Sequence, residues 1–211
     1  MMKKFELMTE SKMNVFGKTL FRIRALVDFS FVKAGDVGGW IEEEGNLSQY
    51  GDAWVYGNAE VYGNACVYGD ARVCGDARVY GDTRVYGNAC VCGDARVYGN
   101  ARVYGYAWVC GDTRVYGNAE VYGDARVYGD ACVCGDDDYT TIKGFGTCFR
   151  TTTFFRCKDK TVKVACGCFL GTIAEFRKQV KRTRSGKIAK EYLMIADLME
   201  MHFKEGEDEQ Y

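Results

Sequence analysis

The stretch VCGDARVYGNARVYGYAWVC, residues 91–110, repeats itself every six residues, and that period decides the fold. Its unit reads Val97, Tyr98, Gly99, Asn100, Ala101, Arg102, with either aspartate or asparagine at the fourth place in most other copies. Working outward, glycine keeps the phase from Gly45 to Gly135, sixteen times without a gap, and valine from Val55 to Val133, fourteen times. A period this short and strict specifies a solenoid, in which each unit buries its apolar side chains against the next turn. Within a unit, Ala-Arg-Val-Tyr alternates small or apolar side chains with larger ones and reads as a short strand. Glycine followed by Asp or Asn supplies the corner, because both tolerate the positive φ of a sharp turn. Alanine (Thr83 and Thr113 in two copies) and valine point inward, arginine and tyrosine outward. The reverse arrangement would leave a uniform alanine and valine face in water.

An aliphatic residue followed four positions later by a small one, Val55 with Ala59 and so on through the hexads, resembles the hexapeptide-repeat family. The resemblance implies a parallel β-helix, left-handed and triangular, with three hexads to each coil of eighteen residues. About five coils then stack to roughly 24 Å at ~4.8 Å per coil. The segments Phe21 to Ala25, Lys33 to Ile41 and Asn46 to Gln49, with Val164 to Phe169 and Glu175-Phe176, extend the likeness over most of the chain. They are similar to hexapeptide-repeat proteins of bacteria, phages and prophages, some of them labelled acyltransferases. The same resemblance implies a homo-oligomer, a trimer, and a phage–host setting. Fold alone does not fix function.

Outward residues eighteen apart should form columns. One face carries Tyr50, Tyr68, Tyr86, Tyr104 and Tyr122; another carries Tyr62, Tyr80, Tyr98 and Tyr116, ending in Cys134; the third carries Tyr56, Cys74, Cys92, Cys110 and Tyr128. Stacked tyrosines on two faces expose aromatic area of the kind that marks interfaces.

A solenoid needs caps at its open ends. Residues 1–44 are the expected N-terminal β cap, with a strand pattern over 18–25, followed by the repeat over 45–138. Residues 139–211 are the expected C-terminal α+β unit, for capping or oligomerisation. Within it Thr151 to Cys157 and Thr161 to Phe169 read as strands. Thr172 and Glu175 form a capping box before a helix to about Arg182. Ser185 precedes a second helix whose Ile188, Tyr192, Ile195, Met199 and Phe203 share one face.

Composition narrows the chemistry. The formal net charge is −1, so bulk charge argues for neither nucleic acid nor membrane. No apolar run has the length of a signal peptide or a membrane span. Eleven cysteines without a secretory segment read as reduced thiols in a cytoplasmic protein. The single histidine, His202, lies outside the repeat. It removes multi-histidine zinc enzymes and weakens the acyltransferase reading, whose family generally uses a histidine on the β-helix and a projecting loop. Glu60 or Glu120 could act as a base, but no pocket for a substrate is legible. No enzyme, cofactor or metal site is therefore expected. Cys166-Gly-Cys168, Cys90 with Cys92, and Cys132 with Cys134 are C-x-C pairs, and two ligands do not make a zinc site. Cys148 and Cys157 could join Cys166 and Cys168, at a spacing that matches no strong signature. The Cys74, Cys92, Cys110 ladder reads as a packing stripe.

Two basic features remain. Arg78, Arg96 and Arg114 stack on one face, each two residues before Tyr80, Tyr98 and Tyr116. Guanidinium and phenol planes at repeat spacing could grip phosphates and stack on bases. Asp76, Asp94 and Asp112, two residues before each arginine, could instead neutralise the column. The repeat carries a net charge of −6, so nonspecific nucleic-acid binding is not expected, whereas a discrete nucleotide-like anion held between subunits is. Residues 139–191 carry +10, with Lys178, Lys181, Arg182, Arg184, Lys187 and Lys190 around the turn between the helices. That cluster would dock an acidic partner, such as a host protein or another copy. The expected function is non-enzymatic sequestration of an anionic ligand or partner. A CoA-dependent acyltransferase and a purely structural assembly protein are the alternatives.

Overall fold

The computed structural model describes residues 3–204. Its backbone divides into two compact units, Met1–Asp136 and Asp137–Tyr211. In the first, fourteen two-residue strands run from Trp54–Val55 to Cys132–Val133, each built on one valine of the repeat. Strands eighteen residues apart pair in parallel along each side, so that Arg78, Arg96 and Arg114 meet in register, as do Val79, Val97 and Val115. Three parallel sheets result, one to each side of a coil. This is a β-solenoid of about five turns, as the valine and glycine phases predict.

The interior is made of the two small positions of the unit. All fourteen repeat valines are at most 1% exposed, and the alanines between them are sealed as well. Thr83 and Thr113 occupy alanine positions at no exposure because each hydroxyl donates to a corner carbonyl three residues back, Tyr80 O at 2.7 Å and Cys110 O at 2.6 Å. A buried hydroxyl without such a partner would cost about 1–3 kcal/mol. Outward, the backbone amides of one rung donate to the carbonyls of the next, for example Arg96 N to Thr113 O at 2.8 Å.

The N-terminal cap is an antiparallel hairpin extended by a third strand: β1 (Phe5–Met13), β2 (Thr19–Ala25) and β3 (Val37–Ile41). β3 then pairs in parallel with Glu60–Val61 and starts the first sheet of the solenoid. Trp54 plugs the first coil, fully buried edge-on against Phe5 and Phe29. Two polar side chains close off backbone groups that have no earlier rung to bond. Buried Asn46 donates through Nδ2 to Gly63 O and Ala65 O, both at 2.9 Å, and accepts through Oδ1 from the Glu42 and Glu43 amides. Lys4 donates its amine to Gly51 O at 3.2 Å and Ala53 O at 2.9 Å.

The second unit is a four-stranded antiparallel sheet, Tyr139–Phe145, Arg150–Arg156, Val162–Cys166 and Phe169–Thr172, followed by α1 (Ile173–Thr183) and α2 (Gly186–His202). Two strands are expected there from sequence and four are found. Tyr139–Phe145 is too polar to show a strand period, and Phe169–Thr172 is a separate strand after a turn at Gly167. The α1 capping box forms as expected: Thr172 Oγ1 accepts from the Glu175 amide at 3.2 Å, and Glu175 accepts from the Thr172 amide at 2.8 Å. Ser185 occupies the N-cap of α2, but its side chain makes no capping bond. The core joins Phe154 and Val164 of the sheet to Phe176 and Val180 of α1 and to Tyr192, Ile195, Met199 and Phe203 of α2. Arg177 locks the two helices together through Asp197 at 2.6 Å and Glu200 at 2.7 Å. Among the described residues no helix is long and apolar enough to cross a membrane.

Two stability predictions follow from this architecture. Gly93 has φ +69°, and a Cβ there would lie 2.9 Å from the Gly111 nitrogen on the next coil. Gly123 has nearly the same φ, +65°, with nothing within 4 Å. Gly123→Ala should cost about 1–2 kcal/mol from the left-handed backbone alone. Gly93→Ala should cost a further ~1–3 kcal/mol from the contact between coils. Urea unfolding of the two variants measures the difference, and equal losses would show that the corners do not touch.

The second prediction concerns Lys4, whose amine is held down to about 8 from an ordinary 10.5 because burial disfavours its charge, partly offset by Asp52. Between those values the unfolded chain carries a proton that the folded chain lacks, so stability rises with pH. The penalty is complete below about pH 8 and gone above 10.5. Against a Lys4→Met variant, the wild type should gain stability steadily from pH 8 to 10. A difference in unfolding free energy that stays flat over that range would contradict it.

Candidate functional site

The first sheet carries Glu60, Arg78, Arg96, Arg114 and Cys132 one rung apart. Beside them Tyr62, Tyr80, Tyr98 and Tyr116 stack with ring centroids 5.0, 5.1 and 5.1 Å apart and planes within 7° of parallel. The structure therefore assembles the six residues singled out from sequence into two adjacent columns. It does not leave them equivalent. Phe16, from the turn after β1, lies 6.1 Å from the Tyr62 ring and 5.8 Å from Tyr80 and covers the start of the ladder. Tyr62 is only 4% exposed, and burial pushes its phenol and that of Tyr80 up. Arg78 is also engaged, because its Nε lies 3.7 Å from Glu60, which Lys12 of β1 holds from the other side at 2.7 Å.

The acid that neutralises Arg78 is thus Glu60, one rung below, and not Asp76. Arg96 and Arg114 have no such partner: among the described residues neither forms an ion pair or a side-chain hydrogen bond. The Arg114 Nε is buried with no acceptor. Two guanidiniums in register at one-rung spacing, without counter-charge, lie beside the half-buried Tyr98 and Tyr116. Cys132 ends the column and donates its thiol to the Tyr116 hydroxyl at 3.7 Å.

The second tyrosine ladder, Tyr68, Tyr86, Tyr104 and Tyr122, stacks at 4.9, 4.9 and 5.3 Å. In the arginine column beside it Arg84 stands in register with Arg102; Arg102 pairs with Glu120 at 2.6 Å, and the Tyr104 hydroxyl donates to the same carboxylate at 3.0 Å. Burial and that bond push the Tyr104 phenol up to about 12. Glu60 and Glu120 are consequently both committed to ion pairs, and His202 packs edge-on against Phe203 at the end of α2.

The third face departs from the packing stripe expected of Cys74, Cys92 and Cys110. Cys90 joins it, so that the sulfurs of Cys74, Cys90 and Cys92 all lie within 4.8 Å of one another. The Cys90 and Cys92 thiols donate to Cys74, holding its pKa well below the ordinary thiol range, while Cys90 is pushed up by the same contacts. Trp108 Nε1 donates to Cys92 Sγ at 3.1 Å. This grouping escapes a column count because Cys90 and Cys74 are sixteen residues apart, a diagonal across one rung. The signal in the sequence was a C-x-C pair on one strand with a third cysteine eighteen residues before its second member. Cys148, Cys157, Cys166 and Cys168 form no comparable cluster: among the described residues, no three of them bring their sulfurs within such reach.

In the second unit, Lys178, Lys181, Arg182, Arg184 and Lys187 are all exposed around the α1–α2 turn. Arg182 donates to Gln179 at 2.7 Å, and Lys187 lies 3.5 Å from Glu191. Arg184 also borders a cleft of about 220 Å³, with Arg150, Cys166 and Tyr192 among its walls. Lys178 and Arg182 line a more open one. The cluster is a solvated basic surface spread over a turn, without one convergent centre.

Comparison with known proteins bears on the repeat alone. No curated protein matches the chain. Residues 71–87, 95–111 and 119–135 match the family model of the YdcK beta solenoid repeat, each segment starting four hexads after the last. All three lie within the strands and corners of the coils, so the chain carries a β-solenoid repeat similar to that of YdcK.

Proposed function

We propose that this β-solenoid is a non-enzymatic binding protein that sequesters an anionic ligand on the Arg96 and Arg114 face. The observation that carries this reading is the adjacent pair of guanidiniums without counter-charge, one with a buried, unpartnered Nε. At ~4.8 Å spacing two like charges repel by about 1 kcal/mol in water and ~3.5 kcal/mol at a protein surface. At Arg78 and Arg102 an acid relieves this, Glu60 and Glu120 respectively. Here an incoming anion would do so. Planar guanidinium forks suit phosphate or carboxylate oxygens, and the neighbouring Tyr98 and Tyr116 offer ring edges for an edge-to-face contact with an aromatic base. A nucleotide-like molecule fits both demands. The net charge of −6 over residues 45–138 selects for a compact anion over a long polyanion.

The finer points of the reading rest on the hexapeptide-repeat resemblance: a homotrimer with the ligand between subunit faces, in a cytoplasmic phage–host setting. The basic surface from Lys178 to Lys187 would then be the docking face for an acidic partner.

Calorimetric titration with a panel of nucleotides, including acetyl-CoA as the acyltransferase ligand, tests the proposal. Arg96→Gln with Arg114→Gln should weaken binding by roughly 10–100-fold, the worth of charge-assisted hydrogen bonds. Arg78→Gln should change it less than about threefold, because Glu60 already neutralises that side chain. Unchanged affinity in the double variant, or no binding by any anion in the panel, would overturn the reading.

A further inference from the structure

We propose that Cys74, Cys90 and Cys92 form a three-thiolate site for a soft monovalent metal ion, cuprous copper. The sulfurs already lie within 4.8 Å of one another. With metal–sulfur bonds of ~2.3 Å, a trigonal site requires sulfurs ~4.0 Å apart, a closure that rotation about χ1 supplies. All three residues are half-buried, so an ion can reach them while the coil shields the bonds it makes.

Ligand chemistry selects the ion. The repeat contains no histidine, and the two columns that meet here are Trp54, Arg72, Cys90, Trp108, Arg126 and Tyr56, Cys74, Cys92, Cys110, Tyr128. They offer sulfur, aromatic rings and cations, and no carboxylate for a hard ion. Number of ligands then separates the soft candidates. Cys110 is the next thiol of its column, but it stands two rungs, ~9.6 Å, from Cys74 and cannot share an ion with it. Zinc, which takes four ligands in closed protein sites, would lack one. Cuprous copper is content with three.

Binding breaks three S–H bonds, releases the protons to solvent and forms three Cu–S bonds, with no electron transferred. The product carries two negative charges. Its neighbours suit it: Arg72 sits one rung below Cys90 in register, and Trp108, one rung above, already directs its indole N–H at Cys92 Sγ, 3.1 Å away. Charge-assisted donation to a thiolate is stronger than to a thiol. The site is independent of the Arg96 face, and either could exist without the other.

The test is anaerobic titration of the reduced full-length protein with cuprous ion against a bathocuproine chelator, with the copper X-ray absorption spectrum of the one-equivalent complex. The expected result is one chelator-resistant equivalent per chain, bonded to three sulfurs. Cys90→Ser and Cys74→Ser should each remove it, lowering affinity at least 100-fold. Cys110→Ser and Cys168→Ser should keep it. Circular dichroism of each variant, matched to the wild type, separates loss of a ligand from loss of fold. Retention of the tight equivalent in Cys90→Ser, loss of it in Cys110→Ser, or a two-sulfur spectrum would overturn the proposal. So would tight zinc bound by four sulfurs.

Discussion

Register between coils is the constraint on which the solenoid depends. Each two-residue strand has too few hydrogen bonds to hold itself, and its stability comes from the rung before and the rung after, eighteen residues away in the chain. That register places valine on valine inside, where every copy is sealed. It also places every outward residue on its own counterpart, so chemistry repeated along the chain becomes a column in space. Tyrosines accept this readily, stacking within a few degrees of parallel over two faces. Their rings cover one another, which is why the interior members of the ladders are half-buried while the end residue Tyr122 stays 51% exposed. The aromatic area expected from sequence is therefore largely spent within the chain.

A structure held by neighbours has a problem at its first coil, where no earlier rung exists. Asn46 and Lys4 answer it with side-chain donors aimed at the carbonyls that a previous rung would have bonded. Trp54 answers the packing half of the same problem by filling the end of a core elsewhere lined by valine and alanine. The solution costs something at Lys4, where burial lowers the pKa of the amine. Burial of a cation is accepted there because the alternative is orphaned backbone carbonyls.

What could be read in advance follows from where the period holds. Valine and glycine phase identify strands, corners and interior over residues 51–135, and Thr172 with Glu175 identifies the start of α1. Arithmetic at eighteen residues recovers vertical neighbours and so the Arg and Tyr columns. It is silent on diagonals, which hides the approach of Cys90 to Cys74. It is equally silent on what arrives from outside the repeat. Lys12, Phe16 and Trp40 come from a cap with no period of its own, and they decide that Glu60, Arg78 and Tyr62 are structural. Polar strands such as Tyr139–Phe145 leave no hydrophobic alternation to detect.

The same register that builds the columns also marks where they are incomplete. Like placed on like is harmless for valine and favourable for tyrosine, but arginine on arginine repels unless it is relieved. The solenoid does this with a glutamate in the column at Arg78 and Arg102; Arg72, which stands between Trp54 and Cys90 and not on another arginine, lies 5.3 Å from the Phe31 ring. Among the cysteines, the Cys92 sulfur accepts the Trp108 indole N–H. Arg96 and Arg114 are adjacent rungs at which the chain supplies neither device. Arg84, in register with Arg102, is likewise unpaired among the described residues, but its neighbour carries the acid; at Arg96 and Arg114 two successive rungs go unrelieved, and the proposed anion site rests on that difference.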